Sequence, residues 1–217
     1  MSKPLTALAL IGAAGISAIA LTDAVTVALT GEPSFASDEH GVTTPFVLSG
    51  LVHVGAYLAF AAVLHSWRAQ VDGSSRFRRA VRVVLTFTLA VLAVTLLIGT
   101  GVSVATGEAP DNAVFEAVAG VAFLLMFVAS LALGISLLRR PDLRLAAWTL
   151  TSIIAALGLT ILLAAIGSPW AHPAYAEVLA SFGLAFIALA PPTVQDADRP
   201  TDVESATEQP RLARNPS

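Results

Sequence analysis

Long apolar runs separated by short polar connections dominate the chain. A transmembrane helix needs roughly 20 mostly apolar residues to cross about 30 Å of hydrocarbon. Six stretches meet or approach that requirement: residues 5–29, 46–65, 83–104, 113–138, 145–167 and 174–190. The last is the shortest and is stopped by Pro191-Pro192, which cannot continue a helix. None of the runs alternates with period two, so a membrane β-barrel is not expected. Alanine, leucine and valine with scattered Gly and Ser suit close helix–helix packing. The pattern predicts an all-α fold, a polytopic membrane bundle of six transmembrane helices occupying residues 1–190. Residues 191–217 change to a polar, proline-bearing sequence that cannot bury enough apolar surface to offset chain entropy, and read as a disordered cytoplasmic tail.

Composition agrees with the bilayer as solvent. Of 217 residues 56% are hydrophobic and only 12% charged, too few to cover the surface of a water-soluble domain. A net charge of −3 argues against a nucleic-acid partner. The absence of cysteine removes disulfides, thiol catalysis and iron–sulfur clusters. The cations are organised: Lys3 precedes the first span, Arg68, Arg76, Arg78, Arg79 and Arg82 surround the second connection, Arg139, Arg140 and Arg144 the fourth, and Arg199, Arg211 and Arg214 the tail. The three other connections carry no cation, so the positive-inside rule places both termini in the cytoplasm of a multi-pass cell-membrane protein. A cleaved signal peptide over residues 1–36, ending at Ser34-Phe35-Ala36, is the rival reading. Its apolar run is too long for one and contains Asp23.

Ionisable groups within spans are costly and are candidates for function. Asp23 lies near the outer end of span one, and His53 at a similar depth in span two, each about 10 Å in at 1.5 Å per residue. A contact between Asp23 and His53 is therefore expected. Ser49, His53 and Tyr57 share one helical face. Glu116 and Glu177 sit in the first turns of spans four and six, where a carboxylate complements the helix N-terminus and can reach the headgroups. Together Asp23, His53, Tyr57, Glu116 and Glu177 form a candidate outward-facing pocket for ligand or proton. No catalytic residue is assigned, and no cofactor or metal is expected. His53 and His65 lie on one helix and cannot clamp a haem between helices. Asp38, Glu39, His40 and His172 in the outer loops lack a recognised metal-ligand spacing. His65, beside Trp67 and Arg68, reads as interfacial. The arginines of residues 76–82 serve as topology determinants before any headgroup role.

The loop 34–40 leading into Thr44-Pro45-Phe46-Val47-Leu48-Ser49-Gly50-Leu51, span four from Phe115-Glu116 to Leu138-Arg139-Arg140-Pro141-Asp142, and the closing span before a polar tail together resemble a bacterial family of six-span integral membrane proteins. That family is catalogued as domain of unknown function 998 (DRAM-like). The resemblance covers about residues 5–190 and implies no catalytic residues. The lysine-poor, Ala/Val/Arg-rich composition is similar to that of high-GC actinobacterial chains.

Four functions fit these residues. The first is a non-enzymatic bundle that binds or moves a lipid or small amphiphile through the outward pocket. The second is a membrane-embedded enzyme acting on an isoprenoid or lipid by carboxylate acid catalysis, with Asp23 or Glu116 as proton donor. The third is a proton-coupled transporter, disfavoured by the lack of Gly/Pro helix interruptions near the midplane. The fourth is a structural partner subunit. The first is preferred, with the lipid bilayer as the expected partner.

Overall fold

The computed structural model describes residues 3–37, 41–108 and 112–191. Every regular element among them is helical: α1 (Lys3–Thr30), α2 (Thr44–Ser66), the short α3 (Arg68–Asp72), α4 (Arg76–Thr106), α5 (Ala113–Leu137), α6 (Arg144–Thr151), α7 (Ile153–Ala165) and α8 (Ala174–Ile187). A 3-10 turn, Pro141–Leu143, leads into α6. The expected tail, residues 192–217, and the loop acids Asp38 and Glu39 with His40 lie outside the described residues.

Local chemistry sets the helix ends. The Thr43 hydroxyl accepts from the Phe46 N–H, with Pro45 in the first turn of α2. Asn112 accepts from the Val114 and Phe115 N–H groups at the start of α5. Ser75 caps α4, which starts at Arg76 rather than at the expected residue 83, and Gly107 ends it in the left-handed conformation that favours glycine (φ 78°). The basic run 76–82 is thus helix, not loop, because the cap and a bond from Arg82 to Asp72 hold it there.

The helices close into a ring. α1 packs on α2, α2 on α4, α4 on α5, α5 on α6, and α6 and α7 on α8, which returns to α1. Both chain ends of the described fold lie at one end of the bundle, where the Thr6 hydroxyl donates to the Ala188 carbonyl and Gln70 Nε2 to that of Pro191. The arginine-bearing connections share that end, which we call the basic end. Glycines admit the closest approaches. A Cβ at Gly12 would stand 2.8 Å from that of Ala56, and one at Gly134 would stand 2.6 Å from Leu150 Cβ and 2.8 Å from the Thr151 nitrogen.

The outward faces are apolar: Leu8, Ile11, Phe87, Val121 and Ile161 are all well exposed. Five segments are long and apolar enough to cross a membrane, α6–α7 counting as one, and only 28–39% of each segment's most apolar window is buried within the chain. The remaining surface suits lipid rather than water. α8, with 14 residues, falls short of that length. Its brevity has a structural cause. α1 runs seven residues beyond Asp23, about 10 Å of helix, while Asp23 itself meets His172 in the turn before α8. That turn is recessed below the end of α1, so α8 begins inside the bundle.

Span five is interrupted, which corrects the expectation of unbroken helices. α6 ends and α7 begins on either side of Ser152. The hydroxyls of Thr149, Thr151 and Ser152 each donate to the carbonyl four residues earlier, and no Gly or Pro stands at the break. Before the kink α6 packs tightly on α5; beyond it α7 lies chiefly on α8 and barely touches α5. The helices splay at the end opposite the arginines.

Candidate functional site

The recessed start of α8 brings Glu177 to the level of His53 rather than to the surface. His53 Nε2 lies 3.6 Å from Glu177 Oε1, and the Tyr57 hydroxyl donates to the same oxygen at 3.3 Å. The first-turn position of Glu177 suggested a carboxylate complementing the helix N-terminus as well as a pocket residue; the structure gives it two side-chain neighbours. His53 and Tyr57, one turn apart on α2, pack edge to face with ring centroids 5.9 Å apart.

Hydrogen bonding fixes where protons must be. His53 Nδ1 lies 2.8 Å from the Ser49 carbonyl, which can only accept, so Nδ1 carries a proton. In a neutral imidazole Nε2 would then present a lone pair to Glu177. With Glu177 ionised, two acceptors would face each other at low exposure, 16% for the His53 side chain and 12% for that of Glu177. A proton on either facing atom turns the contact into an attractive one.

The expected contact between Asp23 and His53 is not formed; each has another partner. Asp23 Oδ1 accepts from the Ser34 N–H at 3.1 Å, and Asp23 Oδ2 lies 3.3 Å from His172 Nε2. His172 Nδ1 accepts from the Ala174 N–H at 3.2 Å, so a neutral ring carries its proton on Nε2, the nitrogen that faces Asp23. Thr160 of α7 donates to the His172 carbonyl at 3.1 Å. This pair fastens the recessed turn to α1. The matching depths that suggested an Asp23–His53 bond are real, but the α7–α8 turn reaches Asp23 first.

Two adjoining cavities surround His53. One, about 310 Å³, is lined by His53, Glu116, Thr95, Thr100 and Ser103 among others; the second, about 370 Å³, by His53, Tyr57, Glu177, Thr95 and Phe123 among others. They share His53, Thr95, Leu96 and Ala119. Four of the five expected residues, His53, Tyr57, Glu116 and Glu177, therefore line one region between α2, α4, α5 and α8; Asp23 stands apart. Ser103 Oγ is fully buried at the wall of the first cavity without a hydrogen-bond partner. Sequence reasoning overlooked the α4 wall, although Thr95, Gly99 and Ser103 recur every four residues and so mark one helical face. Apolar walls with a few convergent polar groups are the usual make-up of a small-molecule site.

Other hollows lack this chemistry. A groove of about 550 Å³ between α4 and α5 is lined by apolar side chains such as Phe87, Val91 and Val121, with Thr88 its lone polar side chain. Among the described residues no group of three or more His, Cys, Asp or Glu side chains is placed to hold a metal ion. No protein-family model, curated protein or solved structure matches the chain.

Proposed function

We propose that the chain is a six-span protein of the cell membrane, both termini cytoplasmic, that binds or moves a lipid or small amphiphile through a pocket opening toward the outer face. α8, although short, completes the sixth crossing, with its preceding turn sunk into the outer leaflet. Membership of the resembled family of bacterial six-span proteins belongs to the same reading. One observation carries the functional part: the His53–Glu177 contact, across which the two groups can share a proton, lies in the wall of cavities whose remaining lining is largely apolar. Such a site suits a molecule with an apolar body and one hydrogen-bonding head, the head meeting Glu177 and Tyr57.

A proton-coupled transporter is the second reading, favoured by the same proton-holding pair and by the kink at Ser152. Native mass spectrometry of gently solubilised protein tests the first. The wild type should carry a co-purifying amphiphile, and Ala119→Leu, which narrows both cavities, should lose it. A ligand-free wild type, or full retention in Ala119→Leu, contradicts the pocket reading. Electrogenic or pH-gradient-driven uptake in proteoliposomes, abolished in Glu177→Gln, would favour the transporter.

A further inference from the structure

A second constellation lies at the basic end, far from His53. Gly73 follows α3 with φ 49° and ψ −128°, a conformation that favours glycine. The position a Cβ would take there is 2.9 Å from Arg78 Nη2 and 3.0 Å from Arg140 Nη1. Two guanidinium groups, from the start of α4 and from the connection after α5, therefore converge on one small, exposed residue.

Two acids stand nearby, Asp72 and Asp142, and Asp142 is near enough to Arg78 for their charges to interact, yet their bonds leave guanidinium nitrogens over. Arg78 donates through Nε to the Asp72 carbonyl at 3.1 Å. Both oxygens of the Asp72 carboxylate are taken by Arg82, at 2.7 and 2.9 Å. Arg140 spends Nε and Nη2 on Asp142, at 3.0 and 2.7 Å. The two nitrogens that meet over Gly73 are the ones these bonds leave over. They belong to half-buried side chains braced by their other nitrogens, so little freedom is lost when they grip something. Phe77, beside Arg78, is also exposed.

We propose that Arg78 and Arg140 form an anion site over Gly73 that takes a phosphate group. Two of its non-bridging oxygens can each accept a charge-assisted hydrogen bond from one guanidinium. The phosphate is that of an anionic lipid headgroup or a free phosphate ion; the chemistry is shared.

Titration of the full chain in neutral detergent with short-chain phosphatidylglycerol, read by native mass spectrometry, tests the site. Arg78→Gln and Arg140→Gln should each weaken binding about tenfold. Arg68→Gln, an exposed cation at the same end, should leave it unchanged. Asp142→Asn breaks the same pair as Arg140→Gln but keeps both site cations, and should bind at least as tightly as wild type, which separates loss of the site from loss of fold. Displacement of the lipid by millimolar inorganic phosphate makes free phosphate a ligand in its own right; resistance to it assigns the site to the headgroup. Equal weakening in Arg68→Gln, or wild-type binding in Arg78→Gln and Arg140→Gln, overturns the proposal.

Discussion

His53 and Glu177 face each other across 3.6 Å with the far nitrogen of the imidazole already committed to the Ser49 carbonyl. The pair joins the second and last helices of the ring, and it is reached only because α8 starts below the end of α1. The position of the turn thus converts a first-turn glutamate into a buried partner.

Replacement of Glu177 separates hydrogen bonding from charge. Glu177→Gln supplies an amide N–H for a neutral His53 and an oxygen for Tyr57, and should leave thermal stability in detergent nearly unchanged. Glu177→Leu leaves both partners unsatisfied, which costs about 1–3 kcal/mol. Unfolding curves of the two variants check the difference.

The Asp72–Arg82 pair should dominate the ionic stabilisation of the basic end. Both residues are buried and bonded through two parallel hydrogen bonds. Removing one partner strands a buried charge, so Arg82→Met should destabilise by about 3 kcal/mol. Arg79 also approaches Asp72, at 3.7 Å, but its side chain is 74% exposed, and Arg79→Gln should fall below about 0.5 kcal/mol. Equilibrium unfolding of both variants tests the contrast.

Glycine substitutions should report the close seam of α5 and α6. Gly134→Ala drives a methyl into Leu150 and the Thr151 backbone and should cost about 1–3 kcal/mol by overpacking. Gly158, with open space where a Cβ would go, should accept alanine without loss. Thermal scans of the two alanine variants decide.

The Arg140–Asp142 pair makes a pH-dependent contribution. Hydrogen bonds from Arg140 hold the Asp142 carboxyl below its ordinary value of 3.8, against the opposing effect of partial burial. A depressed folded value means that the stabilisation is complete above 3.8 and is lost as pH falls through the folded value. The stability gap between wild type and Asp142→Asn should therefore be flat near neutrality and close only in strong acid. Because both side chains are about a quarter exposed, it should stay under about 1 kcal/mol.

The helical class and the apolar runs were legible in the sequence because bilayer thickness imposes length and composition together. His53, Tyr57, Glu116 and Glu177 were grouped because all lie toward the same end of their spans, and they line one pair of cavities. What escaped was set by tertiary placement. Asp23 pairs with His172 because the α7–α8 turn is recessed, a fact carried by packing of α8 on α1 rather than by any residue pattern. The break at Ser152 has no Gly or Pro beside it, and Ser and Thr are too common in spans to signal it. Capping by Ser75 extended α4 back through a run that charge alone marked as loop.

The central claim is that one proton resides between His53 and Glu177. Solid-state NMR of protein in lipid nanodiscs, with nitrogen-15 histidine and carbon-13 glutamate, reads both groups in one sample near neutral pH. We expect either a doubly protonated His53 with an ionised Glu177, or a neutral His53 protonated at Nδ1 with a protonated Glu177 carboxyl. A neutral His53 beside an ionised Glu177 would contradict the account.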